Sequence, residues 1–227
     1  MTKIRVETTG GICLIELNDP PANTYSYEMM REIDAAVLEA RMDAEVHVIV
    51  FRGAGDKFFC AGANIGMLKD ADPDFKYYFC LHANETLTRL EQTPKLVIAA
   101  LNGHTVGGGL EVAMAADIRI ARKDAGKIGL PEVALGVLPG TGGTQRLARL
   151  VGLGRAKDIV MRRRRVGAEE ALALAMAKRV LNHAYDGPLA VGLELEGLAY
   201  GLLRTTDDFR EGVEAFFEKR PPEFKGS

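Results

Sequence analysis

The stretch Gly103-His104-Thr105-Val106-Gly107-Gly108-Gly109-Leu110-Glu111-Val112-Ala113-Met114-Ala115-Ala116-Asp117 decides the fold. Three consecutive glycines open an apolar run of helical type, and Glu111 sits inside it among Leu110, Val112, Ala113 and Met114. Glycine lets the backbone approach a ligand closely, and the first turn of a helix presents unpaired N–H groups at the positive end of its dipole. The stretch therefore reads as an oxyanion-binding turn with an acid or base beside it. Taken alone, the glycines also fit a tight turn that needs positive backbone angles. Glu111 alone also fits a solvent-facing or arginine-paired side chain. Buried without a task or partner, it would be costly.

Working outward, Leu96–Leu101 is a short aliphatic run of strand type that leads straight into the glycine turn, and Ile118–Ala121 is another beyond it. The loop that follows carries Gly129-Leu130-Pro131-Glu132. Upstream, a helical pattern over 75–92 stops at Thr93-Pro94, and the turn Ala61-Gly62-Ala63-Asn64 precedes it. Residues 46–51 form an apolar run typical of a strand buried on both sides. Ser26 caps a helix over 27–41 with Met30, Ile33, Val37 and Leu38 on one face, and Ile12–Leu17 is a strand before the breakers Asn18-Asp19-Pro20-Pro21. Beyond Gly152 the pattern is helical, most strongly over 168–183 and 189–203, with no further strand evident.

Strands alternating with helices predict an α/β fold with a mostly parallel sheet and covered faces. Ligands of such sheets bind at the carboxyl ends of strands. The Ala61-Gly62-Ala63-Asn64 and Gly107-Gly108-Gly109 turns both sit at strand exits, so they are expected to converge on one crevice. Neither has the spacing of a dinucleotide or Walker fingerprint.

With 227 residues, 47% of them hydrophobic and 26% charged, the chain suffices for one large α/β domain or a main domain with a helical appendage. A net charge of -2 gives no global reason to expect a nucleic-acid partner, and the local run Arg162 to Arg165 reads as a solvated helix end. Cys13, Cys60 and Cys80 lack metal-ligand spacing and read as free thiols of a reducing compartment, so no metal is expected. The start Met1-Thr2-Lys3-Ile4-Arg5-Val6 has no apolar secretory core and no run is long enough to cross a bilayer, which predicts a cytoplasmic protein without a membrane partner.

Four stretches in this order resemble the crotonase superfamily, most closely its enoyl-CoA hydratases. They are Phe58-Phe59-Cys60-Ala61-Gly62-Ala63-Asn64-Ile65, Asn102-Gly103-His104-Thr105-Val106-Gly107-Gly108-Gly109-Leu110-Glu111, Gly129-Leu130-Pro131-Glu132-Val133 and Gly136-Val137-Leu138-Pro139-Gly140-Thr141-Gly142-Gly143-Thr144-Gln145-Arg146-Leu147. A fifth, Glu211-Gly212-Val213-Glu214-Ala215-Phe216-Phe217-Glu218-Lys219-Arg220-Pro221, is similar to the family's C-terminal end. The resemblance implies a crotonase (ClpP-like) α/β fold, with repeated β-β-α units forming a spiral core. Residues 1–152 would be that core with the active site, and 153–227 a helical region for oligomerisation and pocket cover.

The implied activity is hydration of a 2-enoyl-CoA thioester to a 3-hydroxyacyl-CoA, with no cofactor beyond the coenzyme A of the substrate, in a homotrimer or homohexamer. By motif, the N–H groups of Ala63 and Gly108 hold the thioester carbonyl, Glu111 activates water at C3 and Glu132 delivers a proton at C2. Gly140 would begin a helix whose positive end faces the site. Coenzyme A would lie with its adenine near Ala61, Gly62, Asn64 and Ile65, and Phe216 and Lys219 would reach it from the C-terminal helix. On its own residues, Glu132 also reads as a loop carboxylate capping a helix start.

Asn64 stands where the family commonly has aspartate, which keeps a cap and removes a charge. Near 174–176 the chain joins directly two pieces that relatives separate, by a deletion or by an omitted segment. The alternatives to hydration are another crotonase reaction, isomerisation or decarboxylation, and a non-enzymatic RNA-binding homologue acting through Arg162 to Arg165.

Overall fold

The computed structural model describes residues 2–167 and, near the C-terminus, 211, 214, 215, 217–221 and 223. An antiparallel pair, β1 (Ile4–Thr9) and β2 (Ile12–Leu17), precedes α1 (Tyr27–Met42). Ser26 caps that helix, its side-chain oxygen accepting from the Met29 N–H at 3.3 Å.

One unit then recurs three times. The first is β3 (Val48–Gly53), β4 (Phe58–Cys60), α2 (Ile65–Asp70) and α3 (Pro73–Glu91); the second is β5 (Leu96–Leu101), β6 (His104–Val106) and α4 (Gly108–Met114). The third is β7 (Ile118–Ala121), β8 (Ile128–Gly129), a 3-10 turn (Glu132–Leu135) and α5 (Gly143–Val151), after which come α6 (Leu153–Met161) and β9 (Arg165–Val166). The first strand of each unit joins a sheet ordered β1-β2-β3-β5-β7, and the second joins a smaller sheet ordered β4-β6-β8-β9. Strands β2 through β7 of the large sheet pair in parallel, as do β4, β6 and β8 of the small one. This is the expected spiral of β-β-α units.

Side-chain bonds hold the corners between the two sheets. Asn102 accepts from the Gly53 N–H at 3.0 Å and donates to the carbonyls of Gly53 at 2.9 Å and Gly55 at 2.7 Å, tying the β5–β6 corner to the β3–β4 corner. Asn23 is buried and donates to Ala54 and Phe58 carbonyls at 2.9 and 3.0 Å. Buried backbone groups at these bends are thereby satisfied where no ladder reaches them.

Several expectations need correction. The apolar strands β2, β3 and β5 bury alternate residues, with Ile15, Leu17, Ile49, Phe51, Val97 and Leu101 in the core and the other face partly open, Ile12 at 47% and Leu96 at 41% exposure. Continuous apolarity therefore does not mean burial on both sides here. In α1 the inner face is Met29, Met30, Ile33, Ala36, Val37 and Ala40, and Leu38 is exposed, because it lies one residue past the stripe. Past Gly152 the chain makes a further strand, β9, which pairs antiparallel with β8. The arginine run is therefore a helix C-terminus followed by a strand rather than a helix end alone, with Arg165 paired opposite Gly129. The helices expected over 168–183 and 189–203 and the junction near 174–176 lie outside the described residues.

Candidate active site

The neighbouring parallel strands β4, β6 and β8 leave the small sheet on one side, and each exit carries residues singled out by the sequence. After β4 comes Ala61-Gly62-Ala63-Asn64, with Asn64 capping α2 by accepting from the Met67 N–H at 3.0 Å. The asparagine thus keeps the cap without the charge. After β6, Gly107 takes φ 58° and ψ -137°, a conformation that glycine adopts readily, and turns the chain into α4. After β8, Leu130-Pro131 leads to Glu132; the expected loop is thus a strand end and a 3-10 turn.

The first two exits touch. Gly62 has φ +93°, and a Cβ there would lie 3.1 Å from the Gly108 nitrogen and 3.3 Å from the Val106 carbonyl oxygen. Tyr25 forms a parallel bridge with Ala63, its N–H donating to the Gly62 carbonyl at 3.0 Å and its own carbonyl accepting from the Asn64 N–H at 2.9 Å. Neither the Ala63 nor the Gly108 N–H has a backbone acceptor among the described residues.

Glu111 is 1% exposed. Its Oε1 accepts from the N–H groups of Thr141 at 2.8 Å and Gly143 at 2.7 Å. Burial raises its pKa, while those two amides, the Thr141 hydroxyl and the Arg146 charge favour the ionised form. Arg146 is itself held by Glu91 at 2.7 Å. Glu132 stands above the Gly107 turn, with its Oε1 3.1 Å from where a Gly107 Cβ would be. Its Oε2 is buried with no partner among the described residues. Burial, and then the charge of Glu111, push the Glu132 carboxyl up to about 7. The two carboxyl groups thus sit in different surroundings: Glu111 accepts from two amides, and Glu132, with one oxygen that no described partner reaches, is held up to about 7.

Helix α5 starts at Gly143, three residues past Gly140, and the amides at its entrance, those of Thr141 and Gly143, are directed at Glu111. A buried carboxylate is the anion that such a helix end favours. Gly140 instead packs under α3: its carbonyl accepts from Asn84 at 2.9 Å, and a Cβ there would meet the Cys80 sulfur at 3.1 Å.

The structure thus brings the Ala61-Gly62-Ala63-Asn64 turn, Gly108 and Glu132 together around the Gly107 corner, with Glu111 buried in the helix that follows it. Ile65 follows at 61% exposure, on the outer side of α2's first turn. Lys219 is exposed in the C-terminal stretch, and among the described residues no contact joins it to the site; Phe216 lies outside the described residues. Arg162 and Arg164 pair with Asp158 at 3.2 and 3.0 Å, so the arginine run is partly neutralised. Cys13 and Cys60 are buried free thiols, Cys80 a half-buried one. No His, Cys, Asp and Glu group suited to a metal occurs among the described residues, nor is any described helix long and apolar enough to cross a membrane.

Sequence reasoning missed Tyr25 and Thr141. Tyr25 is 2% exposed and shares a hydrogen bond of 3.0 Å with the Thr141 hydroxyl. The one signal available for Tyr25 was an aromatic residue in an otherwise polar turn ahead of the Ser26 cap.

A spiral of β-β-α units that brings two strand-exit turns and two carboxyl groups together is the arrangement of a crotonase-type protein. The sequence profile described as Enoyl-CoA hydratase/isomerase matches residues 7–182, and the chain belongs to that family. It is 34% identical over 252 positions to a short-chain-enoyl-CoA hydratase of Clostridium acetobutylicum, covering 97% of this chain and 96% of that one. To a crotonyl-CoA hydratase of Syntrophomonas wolfei it is 33% identical over 253 positions, 97% of each chain. Among solved structures, an enoyl-CoA hydratase from Bacillus anthracis matches with TM-score 0.71 and 32% identity over all of both chains. Another from Thermoplasma volcanium matches with TM-score 0.73 and 33% identity over 97% of this chain and 98% of that one. The aligned lengths of 252 and 253 exceed the 227 residues of this chain, so these relatives carry residues without a counterpart here.

Proposed function

We propose that the chain is an enoyl-CoA hydratase, a hydro-lyase that adds water across the 2,3 double bond of a 2-enoyl-CoA thioester. The observation that carries the reading is the pair Glu111 and Glu132, one anchored by two amides and the other held up to about 7 beside it. The Ala63 and Gly108 N–H groups donate to the thioester oxygen and stabilise the charge that develops on it, each donor contributing roughly 3 kcal/mol to the lowered barrier.

Glu111 takes a proton from water as the water oxygen bonds to C3. The π electrons of the C2–C3 bond move toward the carbonyl, forming an enolate, and C2 takes the proton of Glu132. The product is a 3-hydroxyacyl-CoA, and proton exchange between the two carboxyl groups and solvent restores the starting state. Both chemical demands, carbonyl polarisation and proton transfer, are met by the chain's own groups, so the reading requires no metal or redox cofactor. Coenzyme A would follow the exposed start of α2 near Ala61 to Ile65, with Lys219 as a further contact. The family membership supports assembly as a homotrimer or homohexamer, and free thiols support a reducing compartment such as the cytoplasm. The names of the relatives from Clostridium acetobutylicum and Syntrophomonas wolfei make crotonyl-CoA the first substrate to try.

Loss of absorbance at the conjugated thioester of crotonyl-CoA measures the reaction. Glu111→Gln is expected to lower kcat on the order of 10²–10⁴-fold. An unchanged rate in that variant refutes the two-carboxyl mechanism.

A further inference from the structure

Tyr25 reaches three separate parts of the site. Its main chain pairs with the Ala63 turn through the Gly62 carbonyl and the Asn64 N–H, at 3.0 and 2.9 Å. Its ring lies against Gly108, since a Cβ on Gly108 would fall 2.5 and 2.6 Å from Cε1 and Cζ of the phenol. Its hydroxyl is 3.0 Å from Thr141 Oγ1, and the Thr141 N–H donates to Glu111 at 2.8 Å. Phe79 supports the ring from α3 with centroids 5.8 Å apart. An aliphatic side chain would fill the same space without the hydroxyl link.

We propose that Tyr25 is a positioning residue for the hydration, holding both amide donors with its backbone and ring and holding Glu111 through Thr141, whose hydroxyl bonds the phenol and whose N–H donates to the carboxylate. The proposal rests on the hydratase reading of this site. The bond between the phenol and the Thr141 hydroxyl fixes the segment from which the Thr141 N–H reaches Glu111. Burial and the charge of Glu111 hold the Tyr25 pKa well above its ordinary 10.0, so the phenol stays a donor across the working pH range. Other groups facing Glu111 are Arg146 from α5, Glu132 from the 3-10 turn and Cys80 from α3, and none of them is altered by removing the phenol oxygen.

Tyr25→Phe keeps the ring and deletes the hydroxyl. Without the phenol bond the Thr141 segment is held less firmly, its N–H bond to Glu111 weakens, and Glu111 becomes harder to ionise. The acid limb of kcat/KM for crotonyl-CoA is expected to move up by roughly 0.5–1 pH unit. The same variant is expected to lose about tenfold in kcat with little change in KM. Thr141→Val reads the same link from its other end, keeping the amide to Glu111, and serves equally if Tyr25→Phe folds poorly. The double variant is expected to add nothing to either single one.

An acid limb and kcat that stay at wild-type values in both single variants overturn the proposal, as do effects that simply add. Glu111→Gln is run alongside. If wild type turns over crotonyl-CoA and Glu111→Gln does not, the hydratase reading stands whatever Tyr25→Phe shows; a wild type without turnover overturns both.

Discussion

Replacing Glu132 by glutamine separates what this carboxyl group does for chemistry from what it costs the fold. In the folded chain its pKa is about 7, against an ordinary value of 4.5, because burial and the neighbouring Glu111 disfavour its charge. The folded state therefore holds this proton more tightly than the unfolded chain does. Its contribution is fully present below 4.5 and is lost as pH rises to about 7, beyond which the penalty is constant. At about 1.36 kcal/mol per pH unit the whole span corresponds to about 3 kcal/mol. The side chain is partly open to solvent, which brings the expected penalty to about 1–2 kcal/mol.

Glutamine is neutral throughout, so Glu132→Gln is expected to match wild-type stability at about pH 5 and to exceed it by that amount at about pH 8. Over the same range its kcat falls on the order of 10²–10⁴-fold. Urea unfolding at the two pH values, beside the crotonyl-CoA assay, reads both effects. A variant less stable than wild type at the higher pH, or equally stabilised at both, refutes the argument that this carboxyl is a strained acid.

The same carboxyl sets an alkaline limb: kcat/KM is expected to decline above about 7, tenfold per pH unit, as the acid loses its proton, and the limb should vanish in Glu132→Gln; a wild-type profile flat through neutrality contradicts this. Gly62→Ala is expected to cost about 100-fold in kcat/KM and roughly 1–2 kcal/mol in stability. Its Cβ would press on the Gly108 nitrogen at 3.1 Å from a backbone at φ +93°, so full activity would show that these two turns do not act together.

The sequence made the long elements legible because their periodicity is set by local chemistry. Ile12–Leu17, Leu96–Leu101 and Ile118–Ala121 appear where aliphatic and β-branched runs are bounded by breakers, and Ser26 caps α1 as its residue type suggests. β6, β8 and β9 have two or three residues each, too short for any period to register, and their order β4-β6-β8-β9 depends on pairing across the chain. Both glutamates were legible through motifs, and the resemblance implied one as base and the other as acid, whereas the difference in their surroundings was not legible. That difference arises from Thr141 and Gly143, thirty and thirty-two positions away from Glu111 in sequence, and from the missing partner of Glu132 Oε2. Tyr25 escaped for a similar reason: its hydroxyl bond spans 116 positions.

The spiral itself explains why amides and carboxyl groups meet. Adjacent strands of a sheet lie ~4.8 Å apart, and two N–H donors at that separation, each about 2.9 Å from a shared oxygen, subtend about 110° there, suited to two lone pairs of one oxyanion. Ala63 and Gly108 follow the exits of the neighbours β4 and β6, so in the proposed hydratase the sheet spacing would bring their amides within reach of one carbonyl. Three residues into α4, Glu111 returns to the helical face on which Gly108 begins. The next strand, β8, delivers Glu132 one spacing further along the same edge. The following helix α5 then comes back with its entrance amides on Glu111, so the third unit supplies the hydrogen bonds that this buried carboxylate lacks within its own.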